Sequence, residues 1–163
     1  MKMVGACFAV LLTAIPAMAQ QALPTEKVLP LALAQQIVAG AIEACKQQGY
    51  NVSASVVDRS GTPRAFGRAD GAGPHTVNSA FRKAFTSASM RAPTAQFAAA
   101  IAKTPAIEGL RQMDDRILLL AGGLPIKAGN EVVGGIGVGG APAGEKDEAC
   151  AKAGLDKVSS QLH

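Results

Sequence analysis

Aromatic residues are scarce in this sequence. Its 163 residues include no tryptophan, and aromatic residues make up only 4% of the chain, whereas hydrophobic residues make up 48%. This composition indicates a single domain with a core of alanine, valine, isoleucine and leucine. The shortage of aromatic rings argues against a surface on which nucleic-acid bases would stack.

Concentrated charge is also missing. The net charge of +4 is spread along the chain, and no basic block is longer than the pair Arg82-Lys83. No nucleic-acid partner is therefore expected. The sequence also lacks a G-x-S-x-G nucleophile motif and any His/Cys cluster with zinc spacing, so a classical hydrolase or zinc enzyme is not expected.

The longest apolar run lies at the N-terminus. Lys2 precedes an apolar stretch over 4–15, and Ala17-Met18-Ala19 forms an A-x-A cleavage site. This pattern predicts a secretory signal peptide over 1–19 and a mature domain over 20–163, which would be periplasmic or extracellular. No later segment approaches the roughly 20 apolar residues of a membrane span.

Cysteines are few. Removal of the predicted signal peptide leaves Cys45 and Cys150, each in a segment with helical periodicity. An oxidising compartment allows them to pair; the alternative is two free buried thiols. A disulfide closing a loop of about 100 residues would stabilise the fold by up to ~4.7 kcal/mol.

Hydrophobic periodicity predicts an α+β fold with a single antiparallel sheet of about five strands, flanked by helices in two layers. The predicted helices cover 31–48, 76–90, 94–102, 107–113 and 145–161, with Thr94 as a candidate N-cap. The predicted strands cover 51–58, 63–68, 116–121, 124–127 and 131–138. The first two strands, joined by a turn at 59–62, form a local hairpin, which argues against a doubly wound parallel sheet.

Glycine is abundant near the C-terminus. In the stretch GGIGVGGAPAGEKDE, Gly135, Gly137 and Gly140 spell G-x-G-x-x-G. A dinucleotide site would need a crossover helix and a second parallel strand, but Pro142 interrupts the approach and only one helix fits before the chain ends. The glycines instead predict a strand against which either a helix or a flat ligand lies closely, with helix packing favoured.

An ordered set of motifs resembles the GlcG/HbpS-type haem-binding family, also called the haem-degrading domain. The motifs are V-V-D-R-S-G at 56–61, R-A-D-G-A at 68–72, R-K-A-F-T-S at 82–87, P-T at 93–94, G-G-L-P-I at 122–126, and V-V-G-G-I-G-V-G-G at 132–140 with Asp147 behind it. The chain departs from the family at Gly139, where a serine is frequent, and at Ser87, where an alanine is. The resemblance implies a profilin-like sheet, homo-oligomers, secretion, and binding of haem or iron, with slow haem degradation in some members.

Haem needs a ligand for its iron and partners for its propionates. Of the two histidines, His163 is terminal and His75 precedes a predicted helix, so His75 is the candidate axial ligand. Alternatively, His75 is a residue at the start of the helix that only packs or forms a hydrogen bond. The alternative iron ligands are Met90, Met113 and Tyr50. The residues considered for binding the cofactor, chiefly its propionates, are Arg68, Arg82, Lys83, Thr86 and Arg91.

Three acids near the start of the last helix form a further candidate site. Glu145, Asp147 and Glu148 could bind surface iron through oxygen ligands. The alternative is that these acids favourably face the helix dipole.

The sequence therefore predicts a secreted, homo-oligomeric protein that sequesters or presents haem, with slow haem degradation as a secondary activity. The alternatives are a binding protein for a corrinoid or another small ligand, and an oligomeric signalling subunit.

Overall fold

The structure is a computed structural model that describes residues 22–163, so the predicted signal peptide lies outside the described residues. The helices are α1 (Leu31–Gln47), α2 (His75–Met90), α3 (Thr94–Lys103) and α4 (Gly144–Asp156), with 3₁₀ helices over Pro105–Gln112 and Ser159–Gln161. The strands are β1 (Ser53–Asp58), β2 (Pro63–Arg68), β3 (Gly123–Ala128) and β4 (Glu131–Gly139).

Within residues 22–163 the strands form a single four-stranded sheet in the order β2-β1-β4-β3. All three strand pairings are antiparallel. The predicted hairpin is confirmed as β1 and β2, with Ser53 opposite Arg68 at its open end. The α+β class and the single antiparallel sheet are thus confirmed.

Helices α1 and α4 cover one face of the sheet. Alternate strand residues point to this face, because successive side chains of a strand lie on opposite sides. They form the main core with apolar residues of the two helices: Ala34, Ile37, Val38, Ala41, Cys45, Ala54, Val56, Ile136, Val138, Cys150 and Ala151. The core is built from small aliphatic side chains, as the composition predicted.

Helix α2 covers the opposite face, and the glycines of β4 allow it to do so. A Cβ atom built on Gly137 would lie 2.1 Å from Ala80 O, and one built on Gly135 would lie 2.3 Å from Ala84 O. The helix backbone therefore rests directly on the strand. Of the two predicted explanations for the glycine-rich strand, helix packing is confirmed. Helices on both faces give three layers where two were expected.

The predicted strand over 116–121 is the main difference from the sequence expectation, because this segment is irregular. Its backbone groups bond to helix side chains instead of a neighbouring strand. Leu118 N donates to Thr86 Oγ1 at 2.8 Å, and Ile117 O accepts from Arg82 Nη2 at 2.6 Å. The apolar residues that suggested a strand, among them Leu119, instead pack in a second cluster beside α2 and α3.

Cys45 and Cys150 form a disulfide that joins α1 to α4, as predicted. The two cysteines are 105 positions apart, and both are fully buried in the main core. The bond therefore links the first and last α-helices of the described chain on the same face of the sheet.

Candidate functional site

Two of the predicted site residues, Lys83 and Asp147, form a buried ion pair. Lys83 Nζ lies 2.7 Å from Asp147 Oδ2, and each side chain is only 5% exposed. Lys83 is on α2 and Asp147 is in the first turn of α4. The sequence singled out both residues but assigned them separate roles, with Lys83 facing haem propionates and Asp147 facing iron.

Backbone groups complete the surroundings of the pair. Lys83 Nζ also donates to Val138 O at 2.9 Å, and Asp147 Oδ1 accepts from Ala141 N at 2.9 Å. Gly122, with a φ of +113°, crosses close to the pair: a Cβ there would lie 2.9 Å from Lys83 Nζ. Only glycine combines that backbone conformation with such a close approach.

A cleft of about 480 Å³ opens beside the ion pair. Its volume falls in the range of pockets that hold small molecules. The walls are mostly small and apolar, and the polar groups are confined to a few positions. The lining residues are Lys83, Ala95, Ala98, Ala99, Leu120, Ala121, Ala141, Pro142, Ala143, Gly144, Glu145 and Asp147. We call this the Lys83 cleft.

Thr94 holds the wall of the Lys83 cleft in place. It was predicted as the N-cap of α3, but the helix begins at Thr94 itself and Pro93 occupies the N-cap position. The buried Thr94 hydroxyl donates to Leu120 O at 2.5 Å and accepts from Gly123 N at 3.0 Å. It thus fixes the segment that leads into β3 rather than the helix end.

Arg82 and Thr86 lie together on the flank of α2 that faces 117–118. The Thr86 hydroxyl donates to Arg82 O at 2.7 Å and accepts from Leu118 N at 2.8 Å. Arg82 Nη2 donates to Ile117 O, while the buried Arg82 Nε has no hydrogen-bond partner among residues 22–163. These two predicted haem-binding residues therefore anchor the irregular segment through hydrogen bonds within the chain.

His75 lies at a different place, as the exposed first residue of α2. The exposed Arg68 contacts the loop that leads to His75, because Arg68 Nε donates to Ala72 O in that loop at 2.9 Å. A second hydrogen bond joins the sheet to the start of α2. Ser53 lies opposite Arg68 in the sheet, and its hydroxyl oxygen is 2.7 Å from the hydroxyl oxygen of Thr76.

Phe66 is an exposed apolar side chain in the same region. Phe66 is two residues before Arg68 on the edge strand β2, so both point to the α2 side of the sheet. Phe66 is 49% exposed. Val77 is 38% exposed, but it is two residues after His75 on α2 and therefore points to a different side of the helix. We call the set Phe66, Arg68 and His75 the His75 surface. It combines an imidazole, a guanidinium and apolar area.

The predicted iron-binding acids are divided between two environments. Asp147 is buried against Lys83, while Glu145 is exposed. One oxygen of Glu148, Oε2, is buried without a hydrogen-bond partner in the described part of the chain. Within residues 22–163 no three His, Cys, Asp or Glu side chains are grouped so that they could hold a metal ion.

Some pocket residues carried no signal in the sequence. Ala95, Ala98 and Ala99 line the Lys83 cleft, but alanines in an amphipathic helix are equally typical of ordinary packing. The R-K-A-F-T-S and G-G-L-P-I motifs did contain Lys83 and Gly122. Their proximity depends on the way α2 crosses the sheet, which periodicity does not give.

The described residues form an α+β domain with a single antiparallel sheet and open clefts at its surface. The chain belongs to the HbpS-like family, because the family model described as haem degrading protein HbpS-like matches residues 29–156. The family resemblance read from the motifs is therefore confirmed.

Solved structures show the same fold. A crystallised double mutant of HbpS from Streptomyces reticuli is 41% identical, with a TM-score of 0.78 over 88% of this chain and 97% of that chain. The protein ORFY from Klebsiella pneumoniae is 28% identical, with a TM-score of 0.78 over 90% and 99% of the two chains. PduOC, crystallised as a haem complex, is 23% identical, with a TM-score of 0.74 over 80% and 95%.

A further relative is a 15.0 kDa protein encoded in the dhaT-dhaS intergenic region of Citrobacter freundii. It is 29% identical over 137 residues, which cover 77% of this chain and 96% of the relative. Among the helices of residues 22–163, none is long and apolar enough to cross a membrane.

Proposed function

We propose that this chain is a secreted haem-binding protein that sequesters haem or presents it to a partner. The observation that carries the proposal is the exposed imidazole of His75 at the first residue of α2, in a chain that belongs to the HbpS-like haem-degrading family. A neutral imidazole is a good ligand for haem iron, and a helix start projects it into solvent.

The residues of the His75 surface fit the chemical needs of haem. Phe66 supplies exposed apolar area for the porphyrin face. Arg68 uses Nε and Nη2 on Ala72 O, which leaves Nη1 to bind a propionate. Arginine is well suited to a carboxylate because its donors are arranged in a planar fork.

Lys83 fits a propionate poorly, although the sequence suggested it. Its ammonium is already paired with Asp147 and bonded to Val138 O. Thr86 and Arg82 are likewise occupied by the backbone of 117–118 and by each other. We therefore propose Arg68 and His75 as the haem contacts among the predicted residues.

Bound haem would supply redox chemistry at its iron, which is the source of any slow haem degradation. The part of this chain would be to bind the porphyrin, ligate it through His75 and orient its propionates. The fold is compatible with such a role, since PduOC shares the fold and its structure is a haem complex.

Secretion is part of the proposal. The predicted signal peptide supports it, and so does the Cys45–Cys150 disulfide, because disulfides persist mainly in oxidising compartments. The homo-oligomer implied by the family resemblance stays a prediction. Light scattering during size-exclusion chromatography of residues 20–163, with and without haem, would test it.

A haem titration followed by absorbance tests the proposal. The chain over 20–163 is expected to give a saturable Soret shift, and His75→Ala is expected to lose or alter it. His163→Ala is the matched control, because it removes the other histidine, which is exposed at the C-terminus, and it should titrate like the parent.

The outcomes separate binding from ligation. If His75→Ala binds haem as the parent chain does, the proposal of haem binding stands but His75 is not the iron ligand. The absence of saturable binding in the parent chain would overturn the haem proposal. Arg68→Met tests the propionate contact and should weaken binding while preserving the spectrum of the His75-ligated iron.

A further inference from the structure

The Lys83 cleft has a polar floor and apolar walls, and it is separate from the His75 surface. We propose that it binds a small neutral molecule with neighbouring hydroxyl groups, such as a polyol. This site goes beyond haem binding, because it shares no residue with the His75 surface.

The shape of the cleft supports a small organic ligand. Its volume is about 480 Å³, ample for a compact polyol. Alanine side chains from α3, together with Leu120, form one wall, while 141–144 forms the other. Methyl groups at close spacing pack well against the C–H faces of a compact aliphatic molecule.

The hydrogen-bonding capacity of the floor selects hydroxyl groups. An ammonium carries three N–H donors, and Lys83 directs contacts to Val138 O and Asp147 Oδ2. Each Asp147 oxygen accepts one hydrogen bond, from Lys83 or from Ala141 N, and retains further lone-pair capacity. A hydroxyl group can accept from the ammonium and donate to the carboxylate at once, and a second hydroxyl extends the network.

The charges that face the cleft argue for a neutral ligand. They are Lys83, Asp147 and Glu145, so acidic side chains outnumber basic ones. An anion would be repelled by this excess, whereas a cation reaching the floor would meet the Lys83 ammonium. Either ion would disturb the buried ion pair, and a buried charge is costly to leave without its partner. A hydroxyl group would leave the pair intact.

The buried pair also has an energetic implication. Burying two charges is often no more favourable than placing apolar side chains at the same positions. At the floor of a cleft, however, the pair provides a rigid donor and acceptor for a ligand. Val138 O, Ala141 N and Gly122 hold the two side chains in place before any ligand arrives.

Amide NMR titration of the chain over 20–163 tests this site, with glycerol and erythritol as neutral probes. Saturable shifts are expected at the amides of Ala95, Ala141 and Gly144, because Ala141 N bonds to Asp147 and the other two residues line the cleft. Propionate and ethylammonium are the charged comparison probes, and they should give no saturable shifts there.

A cavity-filling variant provides the decisive control. Ala98→Leu places a larger side chain in the cleft without touching the ion pair, and it should abolish the saturable shifts. Ala102→Leu, an exposed site on the same helix outside the cleft lining, should bind the polyols like the parent. Both variants should retain haem binding at the His75 surface.

Several outcomes would overturn the proposal: no saturation with either polyol, unchanged polyol binding in Ala98→Leu, or saturation by propionate or ethylammonium instead. Because haem binding is measured independently by the Soret band, failure of the cleft proposal and failure of the haem proposal are distinguishable.

Discussion

Lys83 Nζ lies 2.7 Å from Asp147 Oδ2, although the two residues are 64 positions apart. Lys83 belongs to the helix on one face of the sheet, and Asp147 lies in the first turn of a helix on the other face. They meet beside Val138 O, near the end of β4, which accepts a hydrogen bond from the same ammonium. The pair thus links both helical layers to β4, one of the two central strands.

Removal of one partner should be strongly destabilising. Asp147→Ala leaves the Lys83 ammonium buried without its counter-charge, and a loss of about 3 to 5 kcal/mol in the free energy of unfolding is expected. Urea denaturation measures it. The double variant Lys83→Met with Asp147→Leu should be more stable than Asp147→Ala, because no charge remains buried.

The control for this prediction is an exposed pair on α4. Lys152 and Asp156 form a salt bridge with side chains 68% and 60% exposed. Asp156→Ala should therefore change the free energy of unfolding by no more than about 1 kcal/mol. Equal effects of Asp147→Ala and Asp156→Ala would contradict the role assigned to burial.

The sequence was sufficient to predict the elements whose signals are local. Helix α1 shows a long 3.6-residue period and a glycine after its end, and the β1–β2 hairpin has alternating residues with a turn between them. The segment over 116–121 looked equally strand-like, since Ile117 and Leu119 alternate with other residues. Its partners are the side chains of Arg82 and Thr86 on a helix, and such long-range bonds leave no trace in periodicity.

The candidate sites show the same limit. Lys83, Asp147 and Arg68 were identified from motifs, and His75 from its position before a predicted helix, but their grouping depends on the tertiary fold. The acids at 145–148 looked like a single cluster, yet α4 turns Asp147 inward and leaves Glu145 outside. Residues two positions apart on a helix point to different sides, so Glu145 and Asp147 separate, and which of them is buried depends on the face of α4 that packs.

Because β4 and α2 are in close contact, the addition of a methyl group to a glycine of β4 should strongly destabilise the fold. Gly137→Ala would place a Cβ 2.1 Å from Ala80 O and 2.4 Å from Ala84 N, so α2 would have to shift. A destabilisation of about 1 to 3 kcal/mol, or more, is expected in urea denaturation.

Gly109→Ala is the matched control, because a Cβ there meets no atom of the described residues within 4 Å. Its free energy of unfolding should remain close to that of the parent. A Gly137→Ala variant as stable as Gly109→Ala would show that α2 does not rest on β4 as described.

The Thr86 hydroxyl should protect the irregular segment from local opening. Thr86→Val keeps a branched side chain of similar volume but removes the acceptor for Leu118 N, which lies 2.8 Å away. A destabilisation of about 1 to 3 kcal/mol is expected, because a partly buried N–H loses its partner. Hydrogen exchange at the Leu118 amide should quicken more than exchange at Val138, and uniform changes at both amides would contradict this local role.

The disulfide should contribute substantially to stability. Its cysteines are separated by 105 positions, and loss of a native disulfide typically costs about 2 to 5 kcal/mol. The double variant Cys45→Ala with Cys150→Ala should therefore unfold at lower urea concentration. Addition of a reductant should destabilise the parent and leave the double variant unchanged; a reductant effect on both proteins would exclude the disulfide as its cause.

Asp114 provides a pH-dependent contribution to stability at the surface. Hydrogen bonds from the Arg116 side chain, and then from its backbone N–H, lower the pKa of Asp114 from 3.8 to about 2. Since the pKa in the folded state is depressed, the stabilisation is fully present above the unfolded value and is lost as the pH falls through about 2. The parent should therefore be more stable than Asp114→Asn at pH 6, and this advantage should shrink between pH 4 and pH 2. Urea midpoints across this range measure the difference, and an advantage that stays constant down to pH 2 would show that the carboxylate charge does not cause it.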